Sequence, residues 1–62
     1  MWIELHTING RSVLLNTDNI GVISTDNYDI TEVWVGDQSL DIRESVEEIK
    51  GIISRGNRYE DR

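Results

Sequence analysis

The stretch Trp2-Ile3-Glu4-Leu5-His6-Thr7-Ile8-Asn9-Gly10-Arg11-Ser12-Val13-Leu14-Leu15-Asn16 sets the architecture of this chain. From Trp2 to Thr7 the residues alternate. Ile3, Leu5 and Thr7 point one way, and Trp2, Glu4 and His6 the other, which is the period-two signature of a strand. Asn9-Gly10 is a strong hairpin signal, and Arg11 to Asn16 is the returning strand. Two registers compete. A two-residue turn centred on Asn9 and Gly10 sets Leu5 opposite Leu14 and His6 opposite Val13, scattering the apolar residues over both faces. A three-residue loop, Ile8-Asn9-Gly10, with Gly10 left-handed in a bulge, sets Leu5 opposite Val13 and Ile3 opposite Leu15. All four then share one face. Register follows the buried pattern, so the bulged loop is expected.

The rest of the chain continues this logic. Thr17-Asp18-Asn19 has turn composition. Ile20 to Ser24 reads as a short third strand, with Gly21 marking a bulge or a close backbone approach. Thr25 to Asp29 is a polar connection, and Ile30 to Val35 a fourth strand. Gly36-Asp37 fits a two-residue type II′ turn with glycine first. Gln38 to Arg43 is the fifth strand, pairing Val33 with Leu40 and Thr31 with Ile42. The period then changes from 2 to about 3.6: Val46, Ile49, Ile52 and Ile53 fall on one helical stripe. Ser45 and Glu48 form a capping box at its start, and Gly56 fits the position just past its end. The expected fold is α+β: a twisted antiparallel sheet of about five short strands, flat or curled into a small barrel, with one C-terminal helix. Residues 1–56 make the domain and 57–62 a flexible tail. The helix is expected over the face lined by Ile3, Leu5, Val13, Leu15, Val33, Val35, Leu40 and Ile42.

The opposite face is less polar than a solvated sheet face should be. It carries Trp2, His6, Leu14, Ile30 and Trp34 among Glu4, Ser12, Glu32, Ser39 and Asp41, joined by Val22 or Ile23 according to the third strand's register. Apolar surface of this kind marks association, and aromatic residues supply much of the energy of interfaces. With 62 residues and no cysteine, the chain has one small core and no disulfide to stiffen it. Chains of this size commonly gain stability by oligomerising. Trp2, His6, Leu14, Ile30 and Trp34 are therefore the candidate interface of an expected homo-oligomer; the alternatives are that the strands curl into a small barrel and bury these residues within the subunit, or that they form a site for a partner.

Composition narrows the function classes. A net charge of −6 argues against a basic-patch grip on nucleic acid. No apolar run is long enough to span a bilayer and no signal segment opens the sequence, so a soluble, cytoplasmic protein is expected. His6 is the lone histidine, and no nucleophile-and-base set, phosphate-binding glycine loop or metal motif accompanies it. The segment Asp26-Asn27-Tyr28-Asp29 has oxygen ligands but not the spacing of a calcium loop. No catalytic residue, metal or cofactor is expected. Arg11 and Arg43 are the candidate anion-binding pair, by residue type.

The run Ile3-x-Leu5, Ile8-Asn9-Gly10, Val13, Leu15-Asn16, Ile20 and then Ile42-Arg43-Glu44-Ser45-Val46-Glu47-Glu48-Ile49 resembles the small FlbD/SwrD-like proteins of bacteria, or a phage-encoded relative of that layout. The likeness runs from Met1 to about Ile53. It departs between Thr25 and Ile30 and at Trp34 to Leu40. Association with flagella and swarming through protein contacts, without catalysis, is what the resemblance implies. The expected function is a non-enzymatic binding and assembly module that self-associates through its apolar sheet face and contacts a partner protein. The alternative is a phage or mobile-element counter-defence protein that sequesters a nucleotide signal between subunits or blocks a defence enzyme.

Overall fold

The computed structural model describes the backbone of residues 1–60 and the side chains of residues 1–55. In chain order the elements are β1 (Trp2–His6), β2 (Ser12–Asn16), a 3-10 turn (Thr17–Asn19), β3 (Ile20–Thr25), β4 (Thr31–Val35), β5 (Gln38–Ile42) and α1 (Val46–Glu60).

The first hairpin adopts the bulged register. Leu5 faces Val13 and Ile3 faces Leu15. Gly10 takes φ 93°, a left-handed conformation open to glycine at little cost. Thr7 fastens the loop: its hydroxyl donates to Asn9 Oδ1 and accepts the Arg11 N–H at 3.1 Å. The connection from β3 to β4 repeats this geometry with other residues. Asp26 donates its N–H to the Ile30 carbonyl at 2.9 Å, as Thr7 does to Arg11 at 2.8 Å. Asp26 Oδ1 accepts the N–H groups of Tyr28 and Ile30. The left-handed position is filled by Asp29, at φ 64°; aspartate is among the few non-glycine residues that tolerate it.

Gly21 is the extra residue of a bulge, with Ile20 opposite Val35 and Val22 opposite Trp34. The bulge resolves the third strand's register: Ile23 pairs with Val33 on the core side, and Val22 lies outside with Trp34. The β4–β5 turn is as expected. Val33 faces Leu40 and Thr31 faces Ile42, and Gly36 takes φ 63°.

The single five-stranded sheet is corrected to two sheets, β1–β2 and β3–β4–β5. They touch through one antiparallel bridge, Thr7 to Ile42. The reason is the short overlap of β1 and β5. Beyond Thr7 the chain turns into the hairpin loop, and beyond Arg43 it turns towards the helix cap. No closed barrel forms among the described residues.

The core lies between the sheets and α1. Ile3, Leu5, Val33, Ile42 and Ile49 are buried, with Val13, Leu15, Val35, Leu40, Ile52 and Ile53 packed against them. The whole expected helix-facing set is thus in the core. The capping box is formed: Glu48 N–H donates to Ser45 Oγ at 3.0 Å, and Ser45 N–H to Glu48 Oε1 at 2.8 Å. The expected stop at Gly56 is corrected, because α1 continues to Glu60. A glycine inside a helix costs only about 1 kcal/mol relative to alanine, and no proline follows Gly56 to force an end. Of the expected tail, residues 57–60 belong to α1; Asp61 and Arg62 lie outside the described residues. No helix among the described residues is long and apolar enough to cross a membrane.

Candidate functional site

The outer faces of the two sheets carry the surplus apolar surface. Trp2 is 54% exposed, Leu14 62%, Val22 54% and Trp34 37%. They form two groups. On the first sheet Leu14 stands opposite Glu4 and Trp2 opposite Asn16, so Trp2 and Leu14 are diagonal neighbours on one face. On the second sheet Val22 and Trp34 are direct partners, with Ser39 beyond Trp34 on β5.

The register keeps the two groups apart. Ser39 lies three residues before Ile42, and Trp2 five residues before Thr7; Ile42 and Thr7 form the antiparallel bridge. Travelling towards the N-terminus on antiparallel strands means travelling in opposite directions. The offset along the strands is therefore roughly 25 Å at about 3.3 Å per residue. Glu32 faces Asp41 on the rung between, placing two carboxylates beside the Trp34 group. The sequence pattern assigns both tryptophans to the outer side; only the short β1–β5 overlap divides that side in two.

His6 and Ile30 differ from the other candidate interface residues. Ile30 is half-buried just before β4, where its N–H donates to Asp26 Oδ1 at 3.0 Å. His6 is clamped by Glu44. Its backbone N–H donates to Glu44 Oε1 at 2.9 Å, and its ring Nδ1 lies 2.7 Å from Glu44 Oε2. The neighbouring Arg43 N–H donates to the His6 carbonyl at 2.7 Å. These contacts tie β1 to the segment between β5 and α1, where the sheets have little ladder of their own. Burial alone pushes the Glu44 carboxyl up. The hydrogen bonds from the His6 side chain and backbone and from its own N–H, with the charge of His6, outweigh burial and hold it below the usual glutamate value. Glu44 is a residue that sequence reading missed. It stands 38 positions from His6, and no local pattern links the two.

Arg11 and Arg43 are both exposed and flank β1 on opposite sides. Arg11 lies opposite Thr7 on the β2 side, and Arg43 opposite His6 on the β5 side. Their backbones are two strand spacings apart, about 10 Å. The Asp26 loop uses its carboxylate to close the turn, and no cluster of three or more metal-ligating residues occurs among the described residues. Ile8 and Tyr28, at the tips of the two bulged loops, are 55% and 82% exposed. They add apolar surface that the strand pattern does not reveal.

Comparison with protein-family models, with curated proteins and with solved structures finds no match for this chain.

Proposed function

We propose that this chain is a non-enzymatic binding and assembly module with two working surfaces. It self-associates through the Trp2 and Leu14 side of the first sheet. It contacts a partner protein through Val22 and Trp34 on the second. The observation carrying this reading is the pair of separate, exposed apolar groups on strands whose other faces pack into or against the core. A core centred on five buried side chains is small, and burial of further apolar area at about 25 cal/mol per Å² is the natural source of added stability. The resemblance to FlbD/SwrD-like proteins supports the same direction, towards protein contacts in a bacterial cytoplasm.

Sedimentation velocity at micromolar concentration tests the first surface, with association expected and a stable monomer contradicting it. Affinity capture with Trp34→Asp tests the second. The variant is expected to keep the self-association and lose proteins that the parent chain recovers; identical recovery counts against the assignment.

A further inference from the structure

The hydrogen bonds that close the first hairpin fix the phase of its whole ladder. Thr7 N–H donates to the Arg11 carbonyl at 2.8 Å, and Thr17 N–H to the Met1 carbonyl at 2.8 Å. In an antiparallel ladder hydrogen-bonded and non-hydrogen-bonded pairs alternate. Val13 and Leu15 therefore direct their backbone groups towards β1. Ser12, Leu14 and Asn16 direct theirs the other way, to an edge on which no other strand pairs among the described residues.

This edge lacks the usual protections. Soluble proteins blunt a free edge with charge, proline or a bulge. Among the other outer strands, β1 carries Glu4 and β5 carries Asp41, and β3 has a bulge at Gly21. β2 reads Ser-Val-Leu-Leu-Asn, with neither charge nor proline, in a chain that is 29% charged. Its register with β1 is unbroken.

Resting on the self-association reading above, we propose that this edge is covered by β2 of a second copy, antiparallel about a two-fold axis at Leu14. The strand is self-complementary in that register. Leu14 meets the other Leu14 as a hydrogen-bonded pair. Ser12 meets Asn16, and Val13 meets Leu15 on the core side. All five residues of β2 are paired, which no shift to either side achieves. The charges at its ends fit as well. Arg11, just before β2, comes beside Thr17 and Asp18 of the other copy, and the symmetry repeats that contact. Both Arg11 and Asp18 are exposed. Acidic residues number 12 against 6 basic ones, so two copies carry the same net charge and repel at long range. At the β2 edge an uncharged strand is bracketed by opposite charges. Pairing there also sets the two Trp2–Leu14 groups beside each other on one continuous sheet.

Charge reversal reads this register directly. By sedimentation velocity on the full chain, R11D and D18R are each expected to weaken the dimer about tenfold, as two symmetry-related surface ion pairs allow. The double variant R11D/D18R is expected to restore it to within about threefold of the parent. Leu14→Pro removes the edge N–H at a position where an edge strand accepts proline; a folded, monomeric variant is expected. Should that variant not fold, the charge reversals decide alone. A dimer indifferent to both single reversals, or one dissolved by Trp34→Asp instead, overturns the β2 edge and leaves self-association standing. A parent chain that is monomeric at micromolar concentration overturns both.

Discussion

Leu5 and Leu14 stand on paired strands one rung apart, yet Leu5 has no exposed surface and Leu14 is 62% exposed. The same contrast holds in the second sheet, where Val33 is fully buried and its neighbour Trp34 is 37% exposed. Each pair occupies the two faces of one short sheet. The inner face closes against Ile49 and the rest of the α1 stripe, and its content is explained by the chain itself. The outer face holds the larger side chains and is left open. Trp2 is 54% exposed and Trp34 37%, so each keeps apolar area that a second molecule would bury. The difference between the faces is what the proposed assembly rests on: the inner residues are buried within the subunit, and the outer ones keep exposed apolar surface.

The comparison can be broken most sharply from the inside. Leu5→Ala is expected to cost about 2–5 kcal/mol, against a total of roughly 3–5 kcal/mol for a core this size. The variant should be largely unfolded by circular dichroism. Leu14→Asp, one rung away on the other face, should leave folding within about 1 kcal/mol of the parent at concentrations where the parent is monomeric, and at higher concentration should lose the association and the stability that association adds. Equal effects of the two substitutions on folding would contradict the division of faces.

A second contrast lies in how the sheets are joined. Within each sheet the strands share a ladder; between them are one bridge and the His6–Glu44 clamp. The folded protein holds the Glu44 carboxyl below its usual value. A depressed carboxyl contributes stability that is present above its unfolded pKa and is lost as pH falls through the folded one. Acid titration of thermal stability should therefore show a loss beginning near pH 4.5. Glu44→Gln should lower stability at neutral pH and flatten that part of the profile; an unchanged profile would separate Glu44 from the joint.

The smallest expected effect is at Gly51, inside α1. A Cβ there would come 3.0 Å from Arg55 Nη1, the far end of a flexible side chain that can move aside. Gly51→Ala should raise stability by about 0.5–1 kcal/mol through helix propensity, read as a higher melting temperature with no change in association. A drop in melting temperature would show that Arg55 is held firmly over the glycine.

Much of this was legible in the residues. The Ile8-Asn9-Gly10 bulge follows from requiring Ile3, Leu5, Val13 and Leu15 to share a face. Ser45 and Glu48 announce the helix start by spacing alone. Gly21 marks the β3 bulge, though only pairing shows that Val22 lies outside and Ile23 inside. What local pattern does not carry is how far two strands overlap. The division into two sheets depends on where β1 turns at Thr7 and where the chain leaves β5 at Arg43. That division, in turn, separates Trp2 from Trp34 and makes two candidate surfaces of one. The helix end is not legible because Gly56 satisfies the local pattern of a C′ glycine, whereas α1 runs through it to Glu60 at the roughly 1 kcal/mol an internal glycine costs.

The central claim is that the open face belongs to an assembly. Sedimentation velocity across a concentration series, on the unmodified chain, tests it most directly. The account predicts a concentration-dependent shift from the sedimentation coefficient of a 7.1 kDa monomer to that of a dimer or larger species. A single monomeric species throughout the micromolar range would contradict it.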